Sequence, residues 1–346
     1  MKQTIKAITF TEPQKVEIGT FDLPTCGRDD IVVRTIYSFI STGTELRVLS
    51  GKQTYPGDAS YYPVIAGYST VGEVVEVGEN AVGWRTGDLV STRGPGRNPD
   101  GIRSCWGGQA SMHVCPAAGS GQPVLLPPGA DPLDYVAVEL AAISHRGFRA
   151  TAARPKETAV ILGQGIVGAT FAGWLSAAGV RVAVSDMSDS RLSRSAKWGA
   201  SATFSAADPG VCERILAYTG GGADIVVESS ASIAGVKLAG SLVRRHRISD
   251  ETGPENWPRL VYQATYIDQY PVSPNSLFVG EGAVVLTPGD RSVVDRCAAV
   301  EAFRTGQLNP AAYCDKVLPI SDAQVAYDGL RTKPDDFFSV AFDWRT

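Results

Sequence analysis

The sequence predicts an α/β protein of two domains, in which a doubly wound parallel sheet is inserted into a domain rich in β-strands. Three observations predict this fold class: the chain has 346 residues, short β-branched runs dominate before about residue 140, and strand and helix patterns alternate after it. At about 150 residues per domain, this length allows two separate cores. The composition, 44% hydrophobic with 37 glycines and 21 prolines, is that of a globular chain.

The first half predicts a compact, barrel-like β domain. Its β-branched runs are broken by glycine, proline and aspartate, as is typical of short strands between turns. These runs are IVVRTIY (31–37), STVGEVVEVG (69–78), GDLVST (87–92) and ASMHVCP (110–116).

The second half predicts βαβ units. TAVILG (158–163) is an apolar run, and the helical pattern IVGATFAGWLSAAG (166–179) follows it. Further apolar runs are RVAVSD (181–186), ADIVVESS (223–230) and RLVYQATY (259–266). Near-continuous apolar strands that alternate with helices indicate a parallel sheet buried on both faces.

The end of the chain indicates a return to the first domain. A last strand, GAVVLT (282–287), and a helix over 291–306 precede renewed β texture that ends in SVAFDW (339–344). We therefore assign residues 1–139 and 291–346 to the β-rich domain and residues 140–290 to the doubly wound domain.

Charge and cysteine usage exclude several classes of function. With 32 basic and 36 acidic residues the net charge is −4, which offers no basic surface for nucleic acid or an anionic membrane. No apolar stretch approaches the length of a membrane span, and the amino end lacks the apolar core of a signal peptide. The six cysteines lie far apart and only three histidines are present. These features predict a reduced, cytoplasmic protein.

A glycine-rich turn follows the first strand of the second half. Its pattern is G-x-G-x-x-G, a helix begins within it, and Asp186 ends the next strand 18 residues after the last glycine. In this context the first glycine makes the tight turn, the second admits the backbone to a pyrophosphate, and the third lets helix and strand pack closely. The amino end of the helix offers N–H groups to the phosphates. We predict that a dinucleotide binds to Gly163, Gln164, Gly165, Ile166, Val167 and Gly168.

Asp186 predicts the choice of dinucleotide. A carboxylate at the end of the second strand accepts hydrogen bonds from the adenosine ribose and repels a 2′-phosphate, which favours NAD over NADP. Arg191 lies five residues further on and is either a second cofactor-binding residue or a solvated residue of the next helix.

The first half carries a more specific resemblance. The segment PVIAGYSTVGEVVEVG (63–78), with Gly87-Asp88 after it, resembles the medium-chain dehydrogenase/reductase superfamily of alcohol dehydrogenases. Within that superfamily, Ser41-Thr42-Gly43-Thr44-Glu45 and Gly67-Tyr68-Ser69 are similar to a zinc-lacking branch that includes bacteriochlorophyllide dehydrogenase-like proteins. The resemblance extends over the whole chain and implies a GroES-like catalytic domain and a Rossmann domain that binds NAD.

The resemblance also indicates that zinc is absent. Zinc alcohol dehydrogenases place a cysteine and a histidine where this chain has Thr42 and Tyr68, and Glu139 lies near the third ligand position by spacing. Threonine and tyrosine are poor zinc ligands, and one carboxylate cannot hold the ion. Without a metal, hydrogen-bond donors or a general acid must meet the charge on the substrate oxygen.

The same alignment names the candidate catalytic residues. Thr44 takes the place of the hydroxyl that relays the alcohol proton. Tyr68 either hydrogen-bonds the substrate oxygen or packs into the place that a metal would fill. Glu45 corresponds to an acidic residue near the metal of zinc relatives, where a structural role is favoured over a catalytic one. His145 lies near the crossing into the Rossmann domain and either exchanges a proton near neutral pH or is a structural residue.

Residues after two of the parallel strands are expected to line the nicotinamide, because ligands bind at the carboxyl ends of strands in this fold. These are Ser229, Ser230, Ala231, Gln263, Ala264 and Thr265. Three polar and aromatic loops (residues 55–62, 93–106 and 246–258) are expected to rim the cleft. The third is longer than a simple turn, and its alternative role is contact with a partner subunit. The candidate substrate-binding residues are Tyr55, Tyr62, Arg93 and Trp106.

These features together predict a zinc-independent, NAD(H)-dependent oxidoreductase that interconverts a secondary alcohol and a ketone on a sugar, cyclitol or aminocyclitol. Three alternatives remain: an NADPH-dependent quinone or enone reductase, an epimerase with tightly bound NAD, and a non-catalytic NAD-binding protein. The resemblance implies a homodimer that pairs through the edge strand GAVVLT, since an exposed apolar edge otherwise invites uncontrolled pairing.

Overall fold

The computed structural model describes residues 3–52, 62–245, 256–266 and 282–346. The chain divides into two units, which we call the β-rich unit (residues 1–140, 292–306 and 313–346) and the parallel-sheet unit (residues 141–291 and 307–312).

The elements before residue 152 come mostly from the β-rich unit, and the last of them crosses into the parallel-sheet unit. They are β1 (Thr4–Glu12), β2 (Lys15–Asp22), β3 (Asp30–Phe39), α1 (Thr42–Leu49), β4 (Val64–Ile65), β5 (Thr70–Val77), β6 (Leu89–Thr92), β7 (Arg103–Ser104), β8 (Met112–Pro116), β9 (Val124–Leu125) and α2 (Val138–Thr151).

The remaining elements alternate and then return to the β-rich unit. They are β10 (Thr158–Leu162), α3 (Ile166–Ala177), β11 (Arg181–Asp186), α4 (Asp189–Arg194), β12 (Ala202–Ser205), α5 (Val211–Thr219), β13 (Ile225–Glu228), α6 (Ile233–Leu242), β14 (Arg259–Tyr262), β15 (Val284–Leu286), α7 (Val293–Thr305), β16 (Lys316–Pro319), α8 (Ala323–Thr332) and β17 (Val340–Asp343).

The parallel-sheet unit is a doubly wound sheet of order β12-β11-β10-β13-β14-β15, with every neighbouring pair parallel. All five residues of β10 and all four of β13 are buried, as expected for strands covered on both faces. The order reverses between β10 and β13, because the chain first adds strands on one side of β10 and then on the other. Ligands of open α/β sheets bind at such a switch point, beyond the carboxyl ends of the strands.

The described residues of the β-rich unit form two sheets. One has the order β2-β1-β4-β7, and the other has the order β16-β17-β3-β5-β6-β9, with β8 paired to β3. A core cluster joins α1 and α8 to both ends of the chain, and in it the ring of Phe10 meets the ring of Tyr327 edge to face at 5.0 Å. No helix in the described part of the chain is long and apolar enough to cross a membrane.

Candidate functional site

The glycine-rich turn has three glycines with three different physical requirements. Gly163 has φ +93°, and a Cβ there would lie 2.8 Å from the backbone nitrogen of Ser230. A Cβ on Gly168 would lie 2.0 Å from the carbonyl oxygen of Gly163, so helix and turn touch at this point. A Cβ on Gly165 would meet no protein atom within 4 Å. Backbone atoms therefore exclude a side chain at Gly163 and Gly168, whereas the space beside Gly165 is free of protein atoms.

The open position caps helix α3. Gly165 is the N-cap and supplies no side-chain acceptor, so the N–H groups of the first turn have no side-chain cap. Helix N-termini of this kind attract anions through their unpaired N–H groups and the helix dipole. The remaining members of the turn serve structure: the side chain of Gln164 is buried and donates to the carbonyl oxygen of Gly163, and Ile166 is buried. Val167 is partly buried.

Asp186 is tied to the same turn. Its carboxylate accepts the backbone N–H of Gln164 at 2.6 Å and that of Ser188 at 2.9 Å. A guanidinium nitrogen of Arg191 lies 3.7 Å from the carboxylate, and the buried Nε of Arg191 has no partner among the described residues. The structure thus brings the turn, the acidic residue and the arginine together at the ends of β10 and β11.

The residues predicted to line the nicotinamide lie at the expected edge of the sheet. Ser229, Ser230 and Ala231 follow β13, and the carboxylate of Glu228 accepts the backbone N–H of Ser230 at 2.9 Å. Gln263, Ala264 and Thr265 follow β14. The side chain of Gln263 donates to the carbonyl oxygen of Ile143 on α2, and its buried Oε1 has no partner among the described residues.

In the β-rich unit, hydroxyl groups gather at the start of α1. The phenol oxygen of Tyr68 lies 2.5 Å from Oγ of Ser41, the N-cap of α1. Thr44 lies in the first turn of the helix and donates its backbone N–H to the carbonyl oxygen of Ser41. The hydroxyl of Thr42 is buried and has no partner in the described part of the structure. The sequence placed Ser41 in the family motif but assigned it no role, because that role rests on contact with Tyr68, 27 positions away.

Glu45 is fully buried beneath this group. It accepts the backbone N–H of Ser41 at 2.8 Å, the phenol of Tyr327 at 2.6 Å and the amide of Gln109 at 3.1 Å. Burial nevertheless raises the pKa of Glu45 to about 7, because the loss of solvation outweighs these three donors. Gln109 extends the network, since its Oε1 accepts the hydroxyl of Ser38 at 2.5 Å.

Glu139 is held by a buried arginine. Its carboxylate accepts Nε of Arg296 at 2.6 Å, and neither side chain is exposed to solvent. The same guanidinium donates to the carbonyl oxygens of Ser91 and Gln122. Arg296 is a residue that sequence reasoning missed, because it lies 157 positions from its partner.

His145 lies on α2 within the parallel-sheet unit. Its ring packs against Trp174 of α3, with centroids 4.6 Å apart, and against Phe148 at 6.0 Å. These contacts match the structural alternative, and a catalytic role for His145 stays a prediction.

The predicted substrate loops are partly described. Trp106 is half-buried and meets the ring of Tyr68 edge to face at 5.5 Å. Tyr62 donates its hydroxyl to the carbonyl oxygen of Val48, and Arg93 is partly buried after β6. Tyr55 and residues 246–255 lie outside the described residues.

A second buried titratable group predicts an unusual pH response. His113 on β8 is buried, and burial lowers its pKa to about 4. Above pH 6.5 the ring is neutral in folded and unfolded chains alike. Between pH 6.5 and 4 only the unfolded chain binds the proton, so His113 destabilises the fold as pH falls. Glu45 acts in the opposite sense: between pH 4.5 and 7 only its unfolded form ionises, so the fold loses stability as pH rises.

We therefore expect His113→Asn to remove the part of the wild type's loss of stability that His113 causes as the pH falls. Urea unfolding at intervals from pH 7 to 4 should show the free energy of unfolding of the variant rising relative to that of the wild type by up to roughly 3 kcal/mol. This figure corresponds to a pKa difference of about 2.5 units at about 1.36 kcal/mol each. For Glu45→Gln, the free energy of unfolding should rise relative to that of the wild type as the pH increases from 4.5 to 7. A constant difference between His113→Asn and wild type across the range contradicts the neutral, buried histidine.

The fold and the geometry define a two-domain protein in which a GroES-like β domain accompanies a Rossmann domain with a dinucleotide turn. Residues 27–126 match the family model described as alcohol dehydrogenase GroES-like domain, and residues 167–246 match the model described as zinc-binding dehydrogenase. The chain belongs to the medium-chain dehydrogenase/reductase superfamily.

Two curated relatives illustrate the range of the superfamily. The chain is 34% identical to the 2-desacetyl-2-hydroxyethyl bacteriochlorophyllide A dehydrogenase of Rhodobacter capsulatus over 33% of this chain and 35% of that one. The match thus spans about a third of that relative. Similarity to the sorbitol dehydrogenase of Halalkalibacterium halodurans is lower, at 23% identity, but covers 72% of this chain and 76% of that one.

Solved structures share the whole fold. An oxidoreductase of unknown specificity from Escherichia coli superimposes with a TM-score of 0.84 at 19% identity, covering 99% of both chains. An alcohol dehydrogenase of Escherichia coli CFT073, complexed with NADH, gives a TM-score of 0.82 at 17% identity over 99% of each chain. At these identities the likeness establishes the fold.

Proposed function

We propose that the protein is an NAD(H)-dependent oxidoreductase that interconverts a secondary alcohol and a ketone without zinc, on a polyhydroxylated substrate. The observation that carries the proposal is the hydrogen bond by which the carboxylate of Asp186 is held against the glycine-rich turn. A carboxylate fixed by two backbone N–H donors beside an open helix N-terminus suits an adenosine ribose with free hydroxyls. Polyol and alcohol dehydrogenases among the relatives support the substrate class.

The residues present do not suit a catalytic zinc. Thr42 and Tyr68 offer hydroxyl groups where zinc relatives have a cysteine and a histidine, and Glu139 is neutralised by Arg296. Within the described ranges, no group of three or more His, Cys, Asp or Glu side chains is arranged to hold a metal. The proposal therefore assigns the polarisation of the substrate oxygen to hydroxyl donors.

The mechanism assigns distinct tasks to the two units. When bound, the nicotinamide accepts or returns a hydride. The turn of residues 163–168 and Asp186 hold the dinucleotide, and the residues after β13 and β14 border its reactive end. In the β-rich unit, Tyr68 hydrogen-bonds the substrate oxygen and Thr44 exchanges the alcohol proton. Ser41 orients the phenol of Tyr68 through their hydrogen bond.

The cofactor assignment is tested by calorimetric titration with NADH and NADPH. We expect NADH to bind about 100-fold more tightly than NADPH, a difference of about 2.7 kcal/mol. Asp186→Ser should narrow this ratio at least about tenfold, because the repulsion of a 2′-phosphate is lost while the nearby Arg191 remains.

A matched control removes the same charge three residues away. Asp189 is exposed in the first turn of α4, so Asp189→Ser should leave the ratio nearly unchanged. A wild type that prefers NADPH overturns the NAD assignment and favours the quinone or enone reductase. Stoichiometric zinc in the purified protein overturns the metal-free mechanism.

We also propose that two copies pair through β15. This strand is an edge of the described parallel sheet, and Val285 at its centre is 45% exposed. An apolar edge strand left open is a site of strand pairing. A monomer by light scattering at micromolar concentration would refute the pairing.

A further inference from the structure

The loop that carries Trp106 holds a bulky residue in a backbone conformation that it rarely adopts. Trp106 has φ +69°, in the left-handed region, and Gly107 after it has φ +71°. For a bulky side chain this region is an outlier, and such residues persist only where the surrounding structure holds them.

The surroundings of Trp106 do hold it. Cys105 donates its backbone N–H to Ile65 at 2.7 Å, and Gly108 donates to Gly67 at 2.7 Å, so the chain is anchored on both sides. The carbonyl oxygen of Trp106 lies so near Gly94 that a Cβ there would approach it to 2.3 Å. The anchors place the strained residue directly beside the segment that contains Tyr68.

The indole itself is used differently from those of four of the other five tryptophans in the chain; the fifth, Trp257, likewise has no acceptor among the described residues. Trp84, Trp174, Trp198 and Trp344 each donate Nε1–H to a protein acceptor. For Trp106, the described residues supply no acceptor, and its side chain is only half-buried. The ring packs against the core cluster and meets Tyr68 edge to face, and among the described residues its N–H donor has no acceptor.

We propose that Trp106 is a specificity-determining residue that binds the ring of a polyhydroxylated substrate. An aromatic face packs against the C–H groups of a sugar or cyclitol ring, and the indole N–H donates to a ring hydroxyl. The inference rests on the proposed function, because Tyr68 is the residue assigned there to the substrate oxygen. The backbone strain at Trp106 is retained because it places the indole next to that oxygen.

The test separates the indole from the backbone. Trp106→Ala and Trp106→Gly both delete the ring, but only glycine relieves the left-handed conformation. We expect both variants to raise KM for a cyclitol or sugar substrate, with myo-inositol and D-glucose as first probes, by about tenfold. Their KM values should agree, while the glycine variant melts at the higher temperature. Trp106→Phe, which keeps a ring but lacks the N–H, should fall between wild type and the deletions.

Trp84→Phe is the control, since it makes the same exchange at a tryptophan whose N–H is bonded to Ala117. Unchanged KM in both deletion variants, or a KM that rises only in the less stable one, overturns the inference while the proposed function stands. If the wild type turns over no probe, calorimetry with the same probes in the presence of NADH decides. If the wild type binds a probe and both deletion variants do not, Trp106 binds the substrate ring even though the proposed reaction is wrong. If the wild type binds none of the probes, both the role of Trp106 and the proposed function are overturned.

Discussion

Arg296→Met is expected to lower the free energy of unfolding by about 3–5 kcal/mol, because it leaves the carboxylate of Glu139 buried without the positive charge that compensates it. Both side chains are fully buried, and the guanidinium also bonds two carbonyl oxygens that methionine cannot serve. Urea unfolding of the two proteins measures the difference.

Two further variants make this result specific. Arg304 lies on the same helix, pairs with Glu301 and is exposed, so Arg304→Met should cost much less stability than Arg296→Met. The double variant Glu139→Gln with Arg296→Met removes both charges and should recover much of the lost stability. A loss for Arg296→Met no larger than for Arg304→Met would show that Glu139 is not a buried, paired charge.

Gly168→Ala is expected to abolish NADH binding and to destabilise the parallel-sheet unit. The added Cβ would lie 2.0 Å from the carbonyl oxygen of Gly163, so α3 must move away from the turn. Overpacking of this kind typically costs about 1–3 kcal/mol, and here it also displaces the helix N-terminus from the phosphates. Thermal unfolding and calorimetry with NADH report the two effects.

Gly165→Ala is the informative comparison. Its φ is −69° and the added methyl group meets no protein atom within 4 Å, so the fold should tolerate the change within about 0.5 kcal/mol. Its affinity for NADH should fall at least about tenfold, because the methyl group occupies the space of the pyrophosphate. If this variant binds NADH like the wild type, the turn does not cradle the phosphates.

The sequence was most informative where structure follows local pattern. Apolar runs at β10, β11 and β13 marked the parallel sheet, and the turn at residues 163–168 with Asp186 marked the edge where we predict the nucleotide, because spacing along the chain specifies both. The family resemblance supplied the GroES-like domain. These features arise from period and short motifs, which a single sequence displays directly.

Long-range pairs were beyond such reasoning. The partner of Glu139 lies on α7, and the donors to Glu45 come from Gln109 and Tyr327 in other segments. No periodicity links these positions, since they meet only after the sheets have formed. The strain at Trp106 was hidden for a related reason: its left-handed backbone is imposed by anchors in neighbouring segments.

The pairing of β17 with β3 has a consequence for synthesis of the chain. The ribosome delivers Val340–Asp343 about 300 residues after β3 begins, which takes roughly 15–60 s at 5–20 residues per second. Until then residues 37–39 of β3 lack the strand that pairs with them, and the core cluster around Phe10 lacks Phe342. The parallel-sheet unit, nearly continuous in sequence, is complete earlier. During this interval the nascent β-rich unit exposes an open strand edge and apolar core, and chaperone binding is expected to concentrate there.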